Sequence, residues 1–263
     1  MIKARTDILN LESAMQDMEG YDPEGKETCR ITHYFAPGVY AREMWMPTGC
    51  LITGKIHKTE HLNMLSQGKV SVSNQGNSIT MEAPYTFVSP VGTKRAIYAH
   101  EDSTWTTIHA TELTDPDEIE ADIIAETFEE LDYLIARDDY EKFLIEYSLT
   151  EDDVQNATHR DNEVIELISC EVRDSAINGQ GLFCNSPMIE GDYVPAMIDG
   201  KRTVAGRYVN HSGNPNAKIV LIDAKNVRMY AAKEIRIGEE ITTDYRETLK
   251  VQGWEGIHKC LLS

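Results

Sequence analysis

Between Ile31 and His109 apolar and polar positions alternate in short runs: ITHYFA, VYAREMWM, CLITGKI, KVSVSN, SITMEA, YTFVS, AIYAH and STWTTIHA, set apart by Gly, Pro, Asn or Asp. Period-two alternation suits a strand with one buried face, and regular turn punctuation between short strands predicts an all-β sandwich or barrel. Asn74–Asn77 reads NQGN, a hairpin-turn signal. Ahead of this region Ile8, Leu9, Leu11, Met15 and Met18 recur at helical spacing. They predict a short amphipathic helix over Thr6–Met18, with Gly20 as its stop.

From Thr114 to Asp153 the period lengthens to that of helices. Asp115 is a candidate cap and Pro116 a candidate first helical residue. Ile119, Ile123, Ile124 and Phe128 then fall on one predicted face. Phe143, Leu144 and Tyr147 mark a second helix, and Thr150 before Glu151-Asp152-Asp153 marks the start of a third. From Val164 the texture is β again: VIELISCEV, GQGLFCN, GDYVPAMID, AKIVLID, NVRMYAAKEI and EEITTDY. The pattern predicts a mainly β chain in four parts. These are a helix and loop over 1–30, a β barrel over 31–112, a helical linker over 113–160 and a second β domain over 161–263.

Charge sharpens this division. The chain of 263 residues carries a formal net charge of −19. Residues 112–153 hold 17 Asp/Glu against 2 Lys/Arg, so most of the excess lies in the helical linker. An acidic chain is a poor general binder of DNA or RNA, so no direct nucleic-acid partner is expected. An acidic helical run is more often a solvated face than a docking site. No apolar run approaches the ~18 residues a membrane span needs, and the N-terminus has no signal-peptide core. Five scattered cysteines without a CxxC pair favour reduced thiols and a cytoplasmic setting.

Three stretches of the second β domain carry candidate chemistry: NGQGLF at Asn178–Phe183, RYVNHSGNPNA at Arg207–Ala217, and GEEITTDY at Gly238–Tyr245. Asn, Pro and Gly in close succession force a tight, irregular backbone around the Asn-His pair. Read singly, the residues leave plain alternatives open: a hairpin turn at Gly179 and Gly181, a core histidine at His211, and a core tyrosine at Tyr245. Standing in this order, the three stretches resemble the signatures of the SET domain family of S-adenosylmethionine-dependent protein lysine methyltransferases, over roughly Ile165–Leu249.

The resemblance implies a SET-like β fold, S-adenosyl-L-methionine as cofactor, and a lysine of a protein or peptide as substrate. It implies that Gly179, Gln180 and Gly181 lie along the methionine part of the cofactor, glycine permitting close approach for want of a Cβ. It assigns Tyr208, Asn210 and His211 to cofactor binding, Phe183 to packing beneath the site, and Tyr245 to catalysis, with its hydroxyl at the methyl-transfer centre. Methyl transfer from a sulfonium is an in-line displacement, so the protein chiefly aligns an amine and excludes water. The chain departs from the family in three places. Only Asp199–Gly206 stands where the family has a longer segment of its substrate groove. Met197 stands near the position of a family tyrosine, and no cysteine-rich zinc tail follows Tyr245. Trp254 is a candidate aromatic lid.

In the first β region, GKIHKTEHLNMLSQG at Gly54–Gly68 and SPVGTKR at Ser89–Arg95 resemble the two motifs of the cupin superfamily of jelly-roll barrels. Lys55, His57, His61 and Arg95 then occupy the motif's ligand positions, and Pro90 and Gly92 match its second half. The resemblance implies His57 and His61 as ligands of a divalent metal. A transition metal needs three or four convergent ligands, and His33, His100 or His109 are the available recruits. Two other readings stand beside it: hydrogen-bonded histidines left from a lost site, and a metal-free pocket for a small ligand. Pairing through barrel sheets, common among cupins, implies a homo-oligomer. The leading expectation is a protein-lysine N-methyltransferase with an appended barrel. The alternatives are a non-catalytic SET/cupin binding or structural protein that has lost its substrate groove, and a metal- or ligand-dependent barrel with a regulatory SET partner.

Overall fold

The computed structural model describes residues 2–23, 25, 27–74, 77–158 and 164–251; the tip of the NQGN turn and Trp254 lie outside them. Contacts divide the chain into two compact units, Met1–Leu131 and Asp132–Ser263.

The first unit opens with helix α1 (Ile2–Gln16), then strands β1 (Arg30–Ala36), β2 (Val39–Met46), β3 (Leu51–Thr53), β4 (Ile56–His57), β5 (His61–Gln67), β6 (Lys69–Asn74), β7 (Asn77–Glu82), β8 (Tyr85–Ser89), β9 (Ala96–Ala99) and β10 (Ser103–Ala110). Nine of these build two antiparallel sheets, in orders β1-β2-β10-β5-β8 and β3-β9-β6-β7. Met46, Leu65 and Trp105 from the first sheet meet Val70, Val72, Met81 and Ile97 from the second in one core. Strands far apart in sequence are neighbours, β2 beside β10 and β6 beside β9. Two such sheets face to face form the cupin-like jelly-roll barrel.

Alternation decides which side chains enter the barrel. Along β5, His61, Asn63 and Leu65 are buried while Leu62 is exposed. Trp105 and His109 of β10 are buried as well. Asn63 answers the polar groups this brings inside. Its amide donates to Ser89 Oγ at 2.7 Å, and its oxygen accepts from Trp105 Nε1 at 3.1 Å and Thr107 Oγ1 at 3.2 Å. A buried amide so satisfied specifies one register where an unpaired one would destabilise the core.

The helical segment departs from the periodic reading. Asp115 caps α2 (Pro116–Ile123) as expected, accepting from the Asp117 and Glu118 amides. The predicted continuous face from Ile119 to Phe128 is broken, because Ile124–Ala125 form strand β11, which pairs with β4. The expected second helix is α3 (Phe128–Tyr147), which starts well before Phe143. It begins in the first unit and runs on into the second. The run CLITGKI is likewise split into β3 and β4 around Gly54.

The second unit continues with α4 (Glu151–Thr158), where Thr150 and Asp153 bond each other reciprocally in a capping arrangement. Then follow β12 (Cys170–Asp174), β13 (Gln180–Cys184), β14 (Tyr193–Ile198), β15 (Lys201–Arg202), α5 (Val204–Tyr208), β16 (Asn210–His211), β17 (Ala217–Asp223), β18 (Asn226–Ala231), β19 (Glu240–Thr243) and α6 (Tyr245–Val251). The run VIELISCEV yields only β12; ahead of it Ile165 makes an isolated bridge to Thr203. Two four-stranded sheets, β12-β13-β19-β16 and β15-β14-β18-β17, supply Leu182, Val194, Met229 and Ile241 to a core completed by Val204 of α5 and by Ile235. This is the SET-like β fold.

Candidate functional site

The sheet β12-β13-β19-β16 gathers the three motif stretches by backbone pairing. Leu182 and Phe183 lie opposite Ile241 and Glu240, antiparallel. Asn210 and His211 lie beside Thr242 and Thr243, parallel. Residues 32 to 59 positions apart thus become neighbours, and α6 starts with Tyr245 just beyond β19.

Asn210 ties the motifs together. Its buried amide donates to the carbonyls of Asn178 and Gln180, at 3.1 and 3.2 Å, and to the Glu240 carboxylate at 2.9 Å. Ser175 Oγ donates to the same carboxylate. Burial pushes the Glu240 carboxyl up, and the bonds from Asn210 and Ser175 oppose it. Asn216 repeats the device one turn on. Its amide reaches the Glu240 carbonyl at 2.7 Å, and its oxygen accepts from the Thr242 amide.

His211 is wholly buried. Its Nδ1 accepts from the Tyr245 amide at 3.0 Å, so Nε2 carries the proton and donates to Asp139 Oδ2 at 2.6 Å. Arg246 Nη1 shares that carboxylate oxygen at 3.0 Å, and its Nε meets Glu146. Burial is the main cause of the lowered His211 pKa, with the Arg246 guanidinium acting the same way against Asp139 and Asp244. The Tyr245 hydroxyl donates to the Val209 carbonyl at 2.8 Å, and burial pushes that phenol well up. Rings of Tyr140 and Phe143 meet Tyr245 edge to face.

Of the residues named from sequence, Asn210, His211 and Tyr245 thus form one cluster with the Asn178–Gly181 turn. Gly179 and Gln180 are exposed on that turn, whereas Gly181 is buried. Tyr208 is half-buried at the end of α5 with the Arg207 guanidinium over its ring. Phe183 is buried under Arg173. Sequence reasoning missed Asp139, Tyr140 and Phe143, which all come from α3. The signal was present: Ala136, Tyr140 and Phe143 recur at helical spacing and are buried. Glu240 was missed although it stands inside the GEEITTDY stretch.

In the barrel, His57 and His61 come together with His109. Their ring centroids lie 3.9 Å (His57–His61), 5.2 Å (His57–His109) and 4.9 Å (His61–His109) apart. One potential ligand atom from each lies within 4.8 Å of the others, so the three could hold a metal. Burial, aided by the neighbouring imidazoles, pushes His57 down to about 2 and His109 down to about 4. His61 is lowered too, chiefly by burial. The other recruits lie elsewhere, His33 bonded to the Tyr40 hydroxyl and His100 to Ser71. Lys55 pairs with Glu120, and Arg95 donates to Ser89 Oγ.

Among known proteins, no curated protein matches the chain. Solved structures similar to part of the chain include KdgF from Halomonas sp. (17% identity over 39% of this chain and 92% of that chain, TM-score 0.31). Others are the cupin domain of Schizosaccharomyces pombe Cnp3 (21%, 39% and 79%, TM-score 0.29) and an acetylacetone dioxygenase from Acinetobacter johnsonii (13%, 36% and 73%, TM-score 0.28). The barrel assignment itself rests on strand order and core. No described helix is long and apolar enough to cross a membrane. The sequence profile of the SET domain matches residues 38–246, most of the chain and all three motif stretches. This chain therefore belongs to the SET domain family.

Proposed function

We propose that the second unit is an S-adenosyl-L-methionine-dependent methyltransferase acting on lysine side chains of proteins. The observation that carries this reading is the convergence of the Asn178–Gly181 turn, Asn210–His211 and Tyr245 on one cluster.

The residues fit the cofactor at the exposed turn. Gly179 has φ +48°, and a side chain added there would meet only the Gln155 amide, at 3.6 Å. Gly179 and Gln180 are exposed, so the outer face of the turn is open to a ligand, while their carbonyls are already held by the Ser175 amide and by Asn210. Bound there, the cofactor supplies an electrophilic sulfonium methyl. Asn210 acts on it indirectly, by fixing the carbonyls of Asn178 and Gln180. His211 and Asp139 hold the start of α6, and with it Tyr245. The Tyr245 hydroxyl, donating to Val209 O, keeps its lone pairs for an incoming amine, and its raised pKa keeps it protonated. A positioned, water-excluded amine is what in-line transfer requires.

A second reading is favoured by one observation: the side chains of Asn210, His211 and Tyr245 are all engaged within the chain. In that reading the unit is a non-catalytic binding or structural SET fold. Calorimetry with S-adenosyl-L-methionine separates the two. Saturable binding, weakened at least tenfold in Asn210→Ala, is expected. Labelled methyl transfer to lysine peptides should be abolished in Tyr245→Phe with affinity kept. No binding at millimolar cofactor would leave the second reading in place.

A further inference from the structure

We propose that His57, His61 and His109 together hold one divalent transition-metal ion in the first unit, with one coordination position not taken by these side chains. This site is independent of the methyltransferase reading. It is also not the ligand set of the barrel motif. Two of the motif's positions are Lys55 and Arg95, and both cations are turned to other partners, Glu120 and Ser89. His109 comes instead from the last barrel strand. It stands one register step beyond the Ile108–Leu62 pair, which sets it across from His61.

Three features of the imidazoles point to a metal. His61 Nδ1 donates to the Thr59 carbonyl at 3.0 Å, which fixes the tautomer and leaves Nε2 with a free lone pair. His109 Nδ1 lies 3.4 Å from Thr59 Oγ1, so the same residue orients both rings. A metal-binding histidine is commonly held in this way by a carbonyl or hydroxyl at its other nitrogen. His57 Nδ1, in contrast, is buried with no hydrogen-bond partner among the described residues. A buried imidazole nitrogen without a partner carries an uncompensated desolvation cost, which a metal bond removes.

The donor set decides the metal class. Three neutral nitrogens and no carboxylate suit Zn²⁺, Co²⁺, Ni²⁺, Cu²⁺ or Fe²⁺ and do not suit Mg²⁺ or Ca²⁺. Nitrogens bound at ~2.0–2.1 Å around a tetrahedral ion are ~3.3 Å apart. The present spacing, within 4.8 Å, closes to that by small rotations of the rings. Three protein ligands leave the fourth position of a tetrahedral ion to water or a small anion.

The test uses the full, untagged chain stripped with chelator and titrated with Co²⁺, read by calorimetry and by the visible d–d bands. One equivalent is expected per chain, with four- or five-coordinate band intensity. His57→Ala, His61→Ala and His109→Ala should each weaken binding at least tenfold, while His100→Ala binds as the parent does. His109→Cys guards against loss through misfolding. It should still bind Co²⁺ and add a thiolate-to-cobalt charge-transfer band in the near ultraviolet, which a merely structural residue would not produce. No Co²⁺ uptake by the parent at millimolar metal would overturn the proposal, as would parent-like binding in His109→Ala or a His109→Cys complex without the new band.

Discussion

Gly181 and Gly179 stand two positions apart in one motif, yet their surroundings demand different things of them. A Cβ at Gly181 would fall 2.2 Å from Glu240 Oε1 and 2.9 Å from Ser175 Cβ. The missing side chain therefore makes room for the buried carboxylate that Asn210 and Ser175 hold. Gly179 instead serves backbone conformation, with its positive φ on an open turn. Gly181→Ala should accordingly destabilise the fold by about 1–3 kcal/mol through overpacking and displacement of Glu240. Gly179→Ala should cost only the left-handed penalty of about 1–2 kcal/mol, and it alone of the two should leave the Glu240 network intact. Urea denaturation of both variants, with Glu240→Ala and the Gly181→Ala, Glu240→Ala double variant, measures the difference. Additive effects of Gly181→Ala and Glu240→Ala would mean the two residues do not share that space. The GxG spacing was visible in the sequence. What each glycine makes room for was not, because Glu240 is brought to Gly181 by a strand pairing across some 60 residues.

At the scale of elements, α3 changes the picture most. Its charge marks it as a solvated bridge, and much of its surface is that: Arg137–Glu141 and Asp138–Lys142 are exposed i,i+4 pairs of small energetic weight. Its other face buries Tyr140 and Phe143 and presents Asp139 to His211. The groups facing the His211 ring are Asp139, Tyr140 and Phe143 from α3, with Asp244, Tyr245 and Arg246 from the chain end. With its folded pKa below the ordinary 6.5, the ring stays neutral in the folded chain while the unfolded chain takes up a proton. The sign follows from linkage: stability is present above about pH 6.5 and falls as pH drops through it, until the folded value is reached. Urea midpoints at pH 7, 6 and 5 should therefore fall with pH, less steeply in His211→Gln than in the parent. Equal slopes would show that His211 is not held neutral. The barrel histidines pull the same way in chelator, so the comparison of slopes is the readout. The strand runs were legible because period two survives any tertiary context. The interior of the helical segment was not, since β11 interrupts the apolar spacing with a pairing to β4 that only the barrel dictates.

At the scale of the molecule, a chain with two cores and two candidate ligand sites invites a test of how far each unit behaves as its own cooperative body. A ligand that binds only the folded state stabilises it by RT ln(1 + [L]/Kd), about 2.7 kcal/mol at 100 times Kd. For amides that exchange through unfolding of the unit holding the site, this slows exchange about 100-fold; amides that exchange through smaller openings are unaffected. Co²⁺ should therefore protect the deepest amides of β5 and β10, and S-adenosyl-L-methionine those of β13, β16 and β19. If the units unfold separately, each ligand leaves the other set of strands unchanged. The alternation that places His61 and His109 inside the barrel and the parallel pairing that places His211 beside Thr243 belong to separate hydrophobic clusters, which is the physical ground for expecting two patterns. Equal protection of both sets by either ligand would mean the chain opens as one body, and the division between Leu131 and Asp132 would then be a boundary of contacts without being one of stability.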